Sequence, residues 1–239
     1  MNRIRPFIGG ELIKVMTGIR RSGKSVMLEL IKEELAEAGV APSQMISINF
    51  EDMRYSHLQT ATALHDEIIK RAEGIEGKAY LFFDEIQEVE GWEKCVNSLR
   101  VALDCDIYIT GSNAKLLSGE LATYIGGRYV EFVIYPFSFA EFLELYHTIA
   151  PSDSIQQCFQ KYLLAGGMPY LANLRYEEEP SRQYLTDLFN SVQLKDIVKR
   201  NKIRDIDLLE RIIAYMTANV GTVFSASSLA KFFKNEQRT

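Results

Sequence analysis

Short apolar runs alternate with amphipathic segments over the first 136 residues of the chain. The apolar runs predict strands at residues 12–17, 45–50, 79–83, 106–110 and 129–134. Between them, apolar positions recur at the 3.6-residue period of a helix, which predicts helices at residues 24–38, 58–72 and 92–103. Strands that alternate with helices in this way are typical of an α/β protein with a parallel sheet.

After residue 136 the pattern predicts helices only. Pro136 ends the fifth predicted strand, and apolar stripes then indicate helices from Phe139 and over residues 154–165, 182–199, 206–218 and 225–233. We place the main boundary near Pro136 and a softer one near Lys202. The sequence therefore predicts three segments, residues 1–136, 137–203 and 204–239.

Composition and charge exclude several classes of protein. The chain has 239 residues, 47% of them hydrophobic, which excludes a disordered or fibrous protein. A net charge of -5 provides no global field for holding nucleic acid. No apolar stretch reaches the length of about 18 residues that crosses a membrane, so we expect no membrane partner. The three cysteines form no CxxC motif, which favours reduced thiols in a cytoplasmic protein.

A glycine-rich sequence lies between the first predicted strand and the first predicted helix. It fits the pattern G-x-x-x-x-G-K-[ST], in which backbone N–H groups and a helix N-terminus surround a phosphate. Lys24 would reach the β- and γ-phosphates, and the Ser25 hydroxyl would bind Mg²⁺. The residues predicted to contact the nucleotide are Gly18, Ile19, Arg20, Arg21, Ser22, Gly23, Lys24, Ser25 and Val26.

Two acidic residues end the third predicted strand. Taken alone, Asp84 and Glu85 fit a solvated turn as well as a site. A phosphate-binding loop, however, needs a carboxylate on the metal side from a neighbouring strand, and Asp84 can supply it. Glu85 would then polarise the attacking water as the general base. The pair favours hydrolysis over phosphoryl transfer to a small molecule.

Motifs over nearly the whole chain resemble one family. They are IKVMTGIRRSGKS, INFED, YLFFDEIQEVEGWEK, DIYITGSNAKLLSGELATYIGGRYVEF, YPFSFAEF, AGGMPYL and LKDIVKR. The chain resembles the AAA-type P-loop ATPases of bacteria and archaea that carry a helical region and a C-terminal domain of unknown function. The resemblance implies a three-layer α/β fold with five parallel strands in the order 5-1-4-3-2, then a helical lid and a partial winged-helix-like segment. It also implies Mg²⁺-dependent hydrolysis of ATP to ADP and phosphate, with Lys24, Ser25, Asp84 and Glu85 in the roles given above.

Further residues take their roles from the resemblance alone. Ser112 and Asn113 resemble the polar sensor that such ATPases direct at the γ-phosphate, although a plain polar turn is the alternative. Arg128 stands where these proteins often place an arginine finger that acts on a neighbouring subunit, which implies a homo-oligomer. A surface arginine is the alternative. Glu51 and Asp52 fit either the water shell of the metal or a cap on the next helix, and we favour the cap.

Three functional hypotheses and two classes of partner stay open. Beside the hydrolase, the chain could be a nucleotide-gated switch that binds DNA or protein and turns over little, or a small-molecule kinase. A basic cluster at Lys195, Lys199, Arg200, Lys202 and Arg204 could touch DNA phosphates, but a solvated helix end is favoured. The lack of an N-K-x-D element favours ATP over GTP. Because the family runs further, we expect this chain to stop within the winged-helix-like unit.

Overall fold

The computed structural model describes residues 1–111, 125–192, 198, 203–223 and 225–236. It contains the strands β1 (Ile13–Thr17), β2 (Met45–Asn49), β3 (Ala79–Asp84), β4 (Cys105–Thr110) and β5 (Tyr129–Val133). The α-helices are α1 (Lys24–Glu37), α2 (Ala61–Ala72), α3 (Trp92–Ala102), α4 (Phe139–Ile149), α5 (Ile155–Ala165), α6 (Glu178–Val192), α7 (Ile206–Ala218) and α8 (Ala226–Glu236).

The five strands form one parallel sheet in the order β2-β3-β4-β1-β5. This is the predicted order read from the other edge, so the predicted topology is confirmed. In the register, Asn49 is opposite Asp84, Met16 is opposite Thr110 and Thr17 is opposite Val133. The carboxyl ends of all strands therefore lie along one edge of the sheet, which is where α/β proteins bind ligands.

Helices cover both faces of the sheet and make three layers. On one face, Val15, Leu81 and Ile109 pack in a core that includes α2 and α3. On the other face, Met16 and Phe82 pack in a core that includes α1 and the N-terminal segment. Because both faces are buried, β1, β3 and β4 have few polar positions, as expected for a parallel sheet.

The chain divides into two compact units, Met1–Ser181 and Arg182–Thr239. The first contains the sheet and the α4–α5 pair, where Phe142 and Tyr146 are buried among aromatic rings. In the second, Asp205 caps α7 by accepting a hydrogen bond from the Leu208 amide at 2.9 Å. The three-segment division and the winged-helix-like character stay predictions.

Most element ends agree with the predictions within a few residues. The largest difference is at α6, which begins four residues before the predicted start at residue 182 because Pro180 is accommodated in its first turn. Cys95, Cys105 and Cys158 are free and buried. Across the described ranges, no helix combines the length and apolar character needed to cross a membrane.

Candidate functional site

The loop between β1 and α1 depends on two glycines. Gly18 has φ +146°, and a Cβ added to it would lie 2.2 Å from the carbonyl oxygen of Ile134. Gly23 has φ +104° and precedes α1 without providing a side-chain cap. The first amides of α1 therefore have no side-chain acceptor at the N-cap, and an anion could accept their hydrogen bonds. Any larger residue at position 18 would displace the backbone.

Lys24 is the buried cation of this loop. Its Nζ donates to the carbonyl oxygens of Gly18 at 3.3 Å and Ile19 at 3.2 Å. The same Nζ lies 3.8 Å from Oε1 of Glu85. The structure thus brings the phosphate-loop lysine and Glu85, the second residue of the acidic pair, together at one edge of the sheet.

The other predicted loop residues differ in exposure. Ile19, Arg21, Ser25 and Val26 are exposed, and Arg20 is half-buried. Ser22 is buried, and its Oγ has no hydrogen-bond partner among the residues that the structure describes. A buried hydroxyl without a partner is costly unless a ligand satisfies it. This orphaned donor, the uncapped amides of α1 and the Lys24 ammonium together fit a phosphate group.

Asp84 is held at the carboxyl end of β3 by both neighbouring strands. Its Oδ1 accepts a hydrogen bond from the Thr110 hydroxyl, and its Oδ2 accepts one from Asn49 Nδ2 at 3.1 Å. Both partners end strands that pair with β3. Our sequence analysis missed Asn49 and Thr110. Thr110 ends the predicted strand 106–110, but Asn49 precedes the predicted end of the second strand at residue 50, and only the observed register places both beside Asp84.

Glu85 has a strained backbone and a restrained side chain. Its φ of 56° is in the left-handed region, which costs energy for a residue with a Cβ and is common at functional sites. Its amide donates to Thr110 Oγ1 at 3.0 Å, and its Oε2 accepts a hydrogen bond from Gln87 Nε2. Burial raises the pKa of the Glu85 carboxyl, while Gln87 and Lys24 oppose that shift. Sequence analysis also missed Gln87.

Arg128 is not brought to the phosphate loop of its own chain. It directly precedes β5, and its carbonyl accepts a hydrogen bond from the Ile13 amide at 2.9 Å, at the amino edge of the sheet. Its Nη1 donates to Asn97 Oδ1 at 2.8 Å. Lys24 lies at the opposite edge of the sheet, where the strands have their carboxyl ends. A role for Arg128 at this chain's own loop is therefore excluded by the topology.

The remaining predicted residues either lie outside the described ranges or make local contacts. Ser112 and Asn113 lie outside the described residues. Asp52 caps the 3-10 helix Met53–Tyr55, because its carboxylate accepts a hydrogen bond from the Arg54 amide at 2.9 Å. Glu51 is exposed, and its amide donates to Asn49 Oδ1 at 2.9 Å. The favoured capping interpretation is confirmed for Asp52.

A cavity of about 340 Å³ lies next to the segments that flank the phosphate loop. Its walls come from the end of β1, the first turn of α1, the end of β5 and the N-terminal segment. The lining residues are Met1, Asn2, Arg3, Ile4, Met16, Met27, Phe132, Val133 and Ile134. Most of these side chains are apolar, and Ile134 also supplies the carbonyl that Gly18 approaches. The sequence alone gave no sign that these distant segments enclose a cavity.

Two family models match the chain. The AAA domain matches residues 11–143, and a domain of unknown function (DUF8612) matches residues 156–239. An uncharacterized protein of Haemophilus influenzae is 37% identical over 238 residues, 99% of this chain and 59% of that protein. An uncharacterized protein of Methanocaldococcus jannaschii is 32% identical over 236 residues, 94% of this chain and 51% of that protein. The chain therefore spans little more than half the length of these relatives.

Solved structures are similar at a low level. The Aeropyrum pernix ORC1 protein in complex with DNA has a TM-score of 0.42 and 14% identity, over 97% of this chain and 74% of that one. A chain of the Escherichia coli MS115-1 HORMA:CdnC:Trip13 complex has a TM-score of 0.46 and 13% identity, over 69% of this chain and 63% of that one. Both similarities are too weak to bear on function.

Proposed function

This chain belongs to the AAA domain family, and we propose that it binds ATP with Mg²⁺ and hydrolyses it to ADP and phosphate. The observation that carries the proposal is the meeting of Lys24 and Glu85. A lysine from a phosphate-binding loop and a strand-end carboxylate lie 3.8 Å apart. Lys24 begins α1 and Glu85 follows β3, and hydrolysis of a nucleoside triphosphate needs both groups at one place.

The loop supplies three kinds of contact for the phosphates. The amides at the start of α1 and the Ser22 hydroxyl donate hydrogen bonds, and Lys24 contributes a positive charge. Lys24 now donates to two loop carbonyls and faces Glu85. The γ-phosphate would compete for the same ammonium. Binding of ATP would therefore draw Lys24 away from Glu85 and free that carboxylate to act.

Ser25 and Asp84 are the residues that would hold Mg²⁺. The described residues contain no group of three or more His, Cys, Asp or Glu side chains that could hold a metal ion. A single carboxylate and a hydroxyl still fit Mg²⁺, which keeps several waters and takes phosphate oxygens as its other ligands. Bound there, the ion supplies positive charge against the phosphate oxygens. Thr110 and Asn49 fix the orientation of the Asp84 carboxylate.

Glu85 is the general base in this proposal. A water oxygen attacks the γ-phosphorus, its proton passes to the Glu85 carboxylate, and the bond from the γ-phosphorus to the bridging oxygen breaks to release ADP. The left-handed backbone at Glu85 and the hydrogen bond from Gln87 fix the direction of the carboxylate. A positioned base of this kind contributes about 10²- to 10⁴-fold to the rate.

The cavity beside the loop would receive the adenine ring. Its volume of about 340 Å³ and its apolar walls suit a planar base. The preference for ATP over GTP rests on the missing N-K-x-D element and on the family resemblance. With the base in this cavity, the phosphates would extend toward Lys24 and Asp84.

A nucleotide-gated switch is the second candidate. It is favoured by the ion pair between Lys24 and Glu85, because ATP binding that breaks this pair changes the contacts of Glu85 whether or not hydrolysis follows. In this version ATP occupancy changes the affinity of the chain for DNA or a protein, and hydrolysis only resets the state. The match of residues 156–239 to a domain of unknown function leaves the class of partner open.

Calorimetric titration with Mg-ATP tests the proposal directly. We expect Lys24→Ala to weaken ATP binding about 10- to 100-fold, because a charge-assisted hydrogen bond contributes about 1.5–3 kcal/mol. Lys32→Ala, on the same helix and paired with Glu29 at 2.6 Å, is the matched control and should bind like the unchanged chain. Equal ATP affinity in the Lys24→Ala variant would contradict the proposal.

A further inference from the structure

A buried ion pair joins the neighbouring strands β1 and β4. Lys14 on β1 donates from Nζ to Oδ1 of Asp106 on β4, and neither side chain has any exposed surface. The Tyr108 hydroxyl donates to Oδ2 of Asp106 at 2.7 Å. Buried pairs of this kind lose most of their Coulombic gain to desolvation, and apolar replacements are often as stable. Stability alone therefore gives little reason for three polar groups at this place.

The same two residues hold the backbone of the N-terminal segment. Asp106 Oδ2 accepts a hydrogen bond from the Gly9 amide at 2.6 Å, and Lys14 Nζ donates to the carbonyl of Gly10 at 2.9 Å. One charged group thus binds a backbone donor and the other binds a backbone acceptor. Because both side chains sit in the core of the sheet, they give this segment a fixed point of attachment.

Hydrogen bonds and packing connect Gly10 to the first residues of the chain, so a displacement at Gly9 or Gly10 would also displace residues 1–4. Turn hydrogen bonds link Ile4 to Met1 at 2.9 Å, Phe7 to Ile4 at 2.9 Å and Gly10 to Phe7 at 3.1 Å. Ile4 is 3% exposed, and the Phe7 ring meets the Phe132 ring edge-on at 5.6 Å. Met1 to Ile4 form one wall of the cavity beside the phosphate loop. A shift at Gly9 would therefore move that wall.

We infer that Lys14 and Asp106 are positioning residues for the nucleotide base, which act through residues 1–10 on the shape of the cavity. The inference rests on the proposed function, since it takes the base of ATP as the ligand of the cavity. The hydrogen bonds of Lys14 and Asp106 join them to each other, to Tyr108 and to the backbone of Gly9 and Gly10. Their effect should therefore appear in recognition of the base and not in recognition of the phosphates.

The test compares ATP with inorganic tripolyphosphate, which has the phosphates without the base. Replacing all three polar groups, Lys14→Met with Asp106→Leu and Tyr108→Phe, leaves no buried charge unpaired and keeps the core apolar. The amide of Gly9 and the carbonyl of Gly10 then lose both anchors. We expect ATP affinity to fall roughly 30-fold, because both hydrogen bonds that anchor Gly9 and Gly10 are released. Affinity for tripolyphosphate should not change.

Leu99→Ala is the control for a general loss of stability. Leu99 is fully buried in the core on the other face of the sheet, away from the N-terminal segment. Its truncation should lower the urea concentration at the midpoint of unfolding, because it leaves a cavity in the core. It should leave the ratio of ATP to tripolyphosphate affinity as it is in the unchanged chain.

Hydrogen exchange without nucleotide gives a second readout. The amides of residues 1–10 should exchange faster in the triple variant than in the Leu99→Ala variant. Unchanged ATP affinity in the triple variant, with ATP bound normally by the unchanged chain, would overturn the inference alone. Failure of the unchanged chain to bind either ligand would overturn the proposed function and, with it, this inference.

Discussion

The ammonium of Lys24 lies 3.8 Å from Oε1 of Glu85, although one residue begins α1 and the other follows β3. Parallel strands bring the two together, because β1 and β3 both pair with β4 and end at the same edge. The contact links nucleotide binding to the proposed base, since a phosphate that takes Lys24 removes its charge from Glu85. A substitution at Glu85 should therefore affect hydrolysis without preventing ATP binding, so Glu85 is the first residue to substitute.

Glu85→Gln should bind ATP but hydrolyse it about 10²- to 10⁴-fold more slowly, because an amide cannot accept the proton from water. Phosphate release and calorimetric affinity measured on the same preparation check both halves of this statement. The exposed Glu88→Gln, three residues further on, is the control and should hydrolyse normally. Full turnover in the Glu85→Gln variant would remove Glu85 from the mechanism. A partner-binding response to ATP that persists without turnover would favour the switch.

The rate of hydrolysis should fall as the pH falls, with a midpoint above the ordinary Glu pKa. Burial raises the pKa of Glu85, so its carboxyl takes up a proton at a higher pH than an exposed one, and a protonated base is inactive. The hydrogen bond from Gln87 lowers this pKa, so Gln87→Leu should move the acidic limb of the profile to still higher pH. Phosphate release from saturating ATP over a pH series measures the midpoint. A midpoint unmoved by Gln87→Leu would contradict this view of Gln87.

Arg128→Ala should leave ATP binding unchanged and reduce hydrolysis, provided that Arg128 acts on a neighbouring subunit. Its place at the amino edge of the sheet leaves no route to the loop of its own chain. Mixing the Arg128→Ala and Glu85→Gln variants should then restore part of the activity, because a mixed pair has one complete site. Arg100→Ala, on α3, is a control that should keep full activity. No recovery on mixing would count against a shared site.

Gly18→Ala should damage the phosphate loop more than a change at an unconfined glycine does. Its Cβ would overlap the Ile134 carbonyl, whereas a Cβ at Gly39, with φ +91°, meets nothing within 4 Å. Gly39→Ala should therefore cost only the left-handed strain of about 1–2 kcal/mol. Urea unfolding compares the two, and ATP titration should show loss of affinity for Gly18→Ala alone. Equal behaviour of both variants would mean that the loop relaxes around the added methyl group.

Several parts of the site depend on contacts that the sequence does not display. Nothing in the local pattern pairs Asn49 and Thr110 with Asp84, because the strand register selects the partners of a carboxylate. Gln87 was missed for a similar reason, since its amide reaches Glu85 only through the turn at a left-handed residue. Arg128 shows the opposite case, in which a residue chosen by resemblance lies at the other edge of the sheet from the loop of its own chain.

The sequence by itself determined the alternation of strands and helices, the phosphate loop and the acidic pair. These features are local, because backbone period, glycine conformation and residue chemistry act over a few neighbours. Only the tertiary structure decided that Lys24 meets Glu85, that Lys14 and Asp106 are buried as a pair, and that residues 1–4 form a wall of the cavity. Such contacts arise when distant segments share one core, where packing and desolvation select neighbours that no local pattern records.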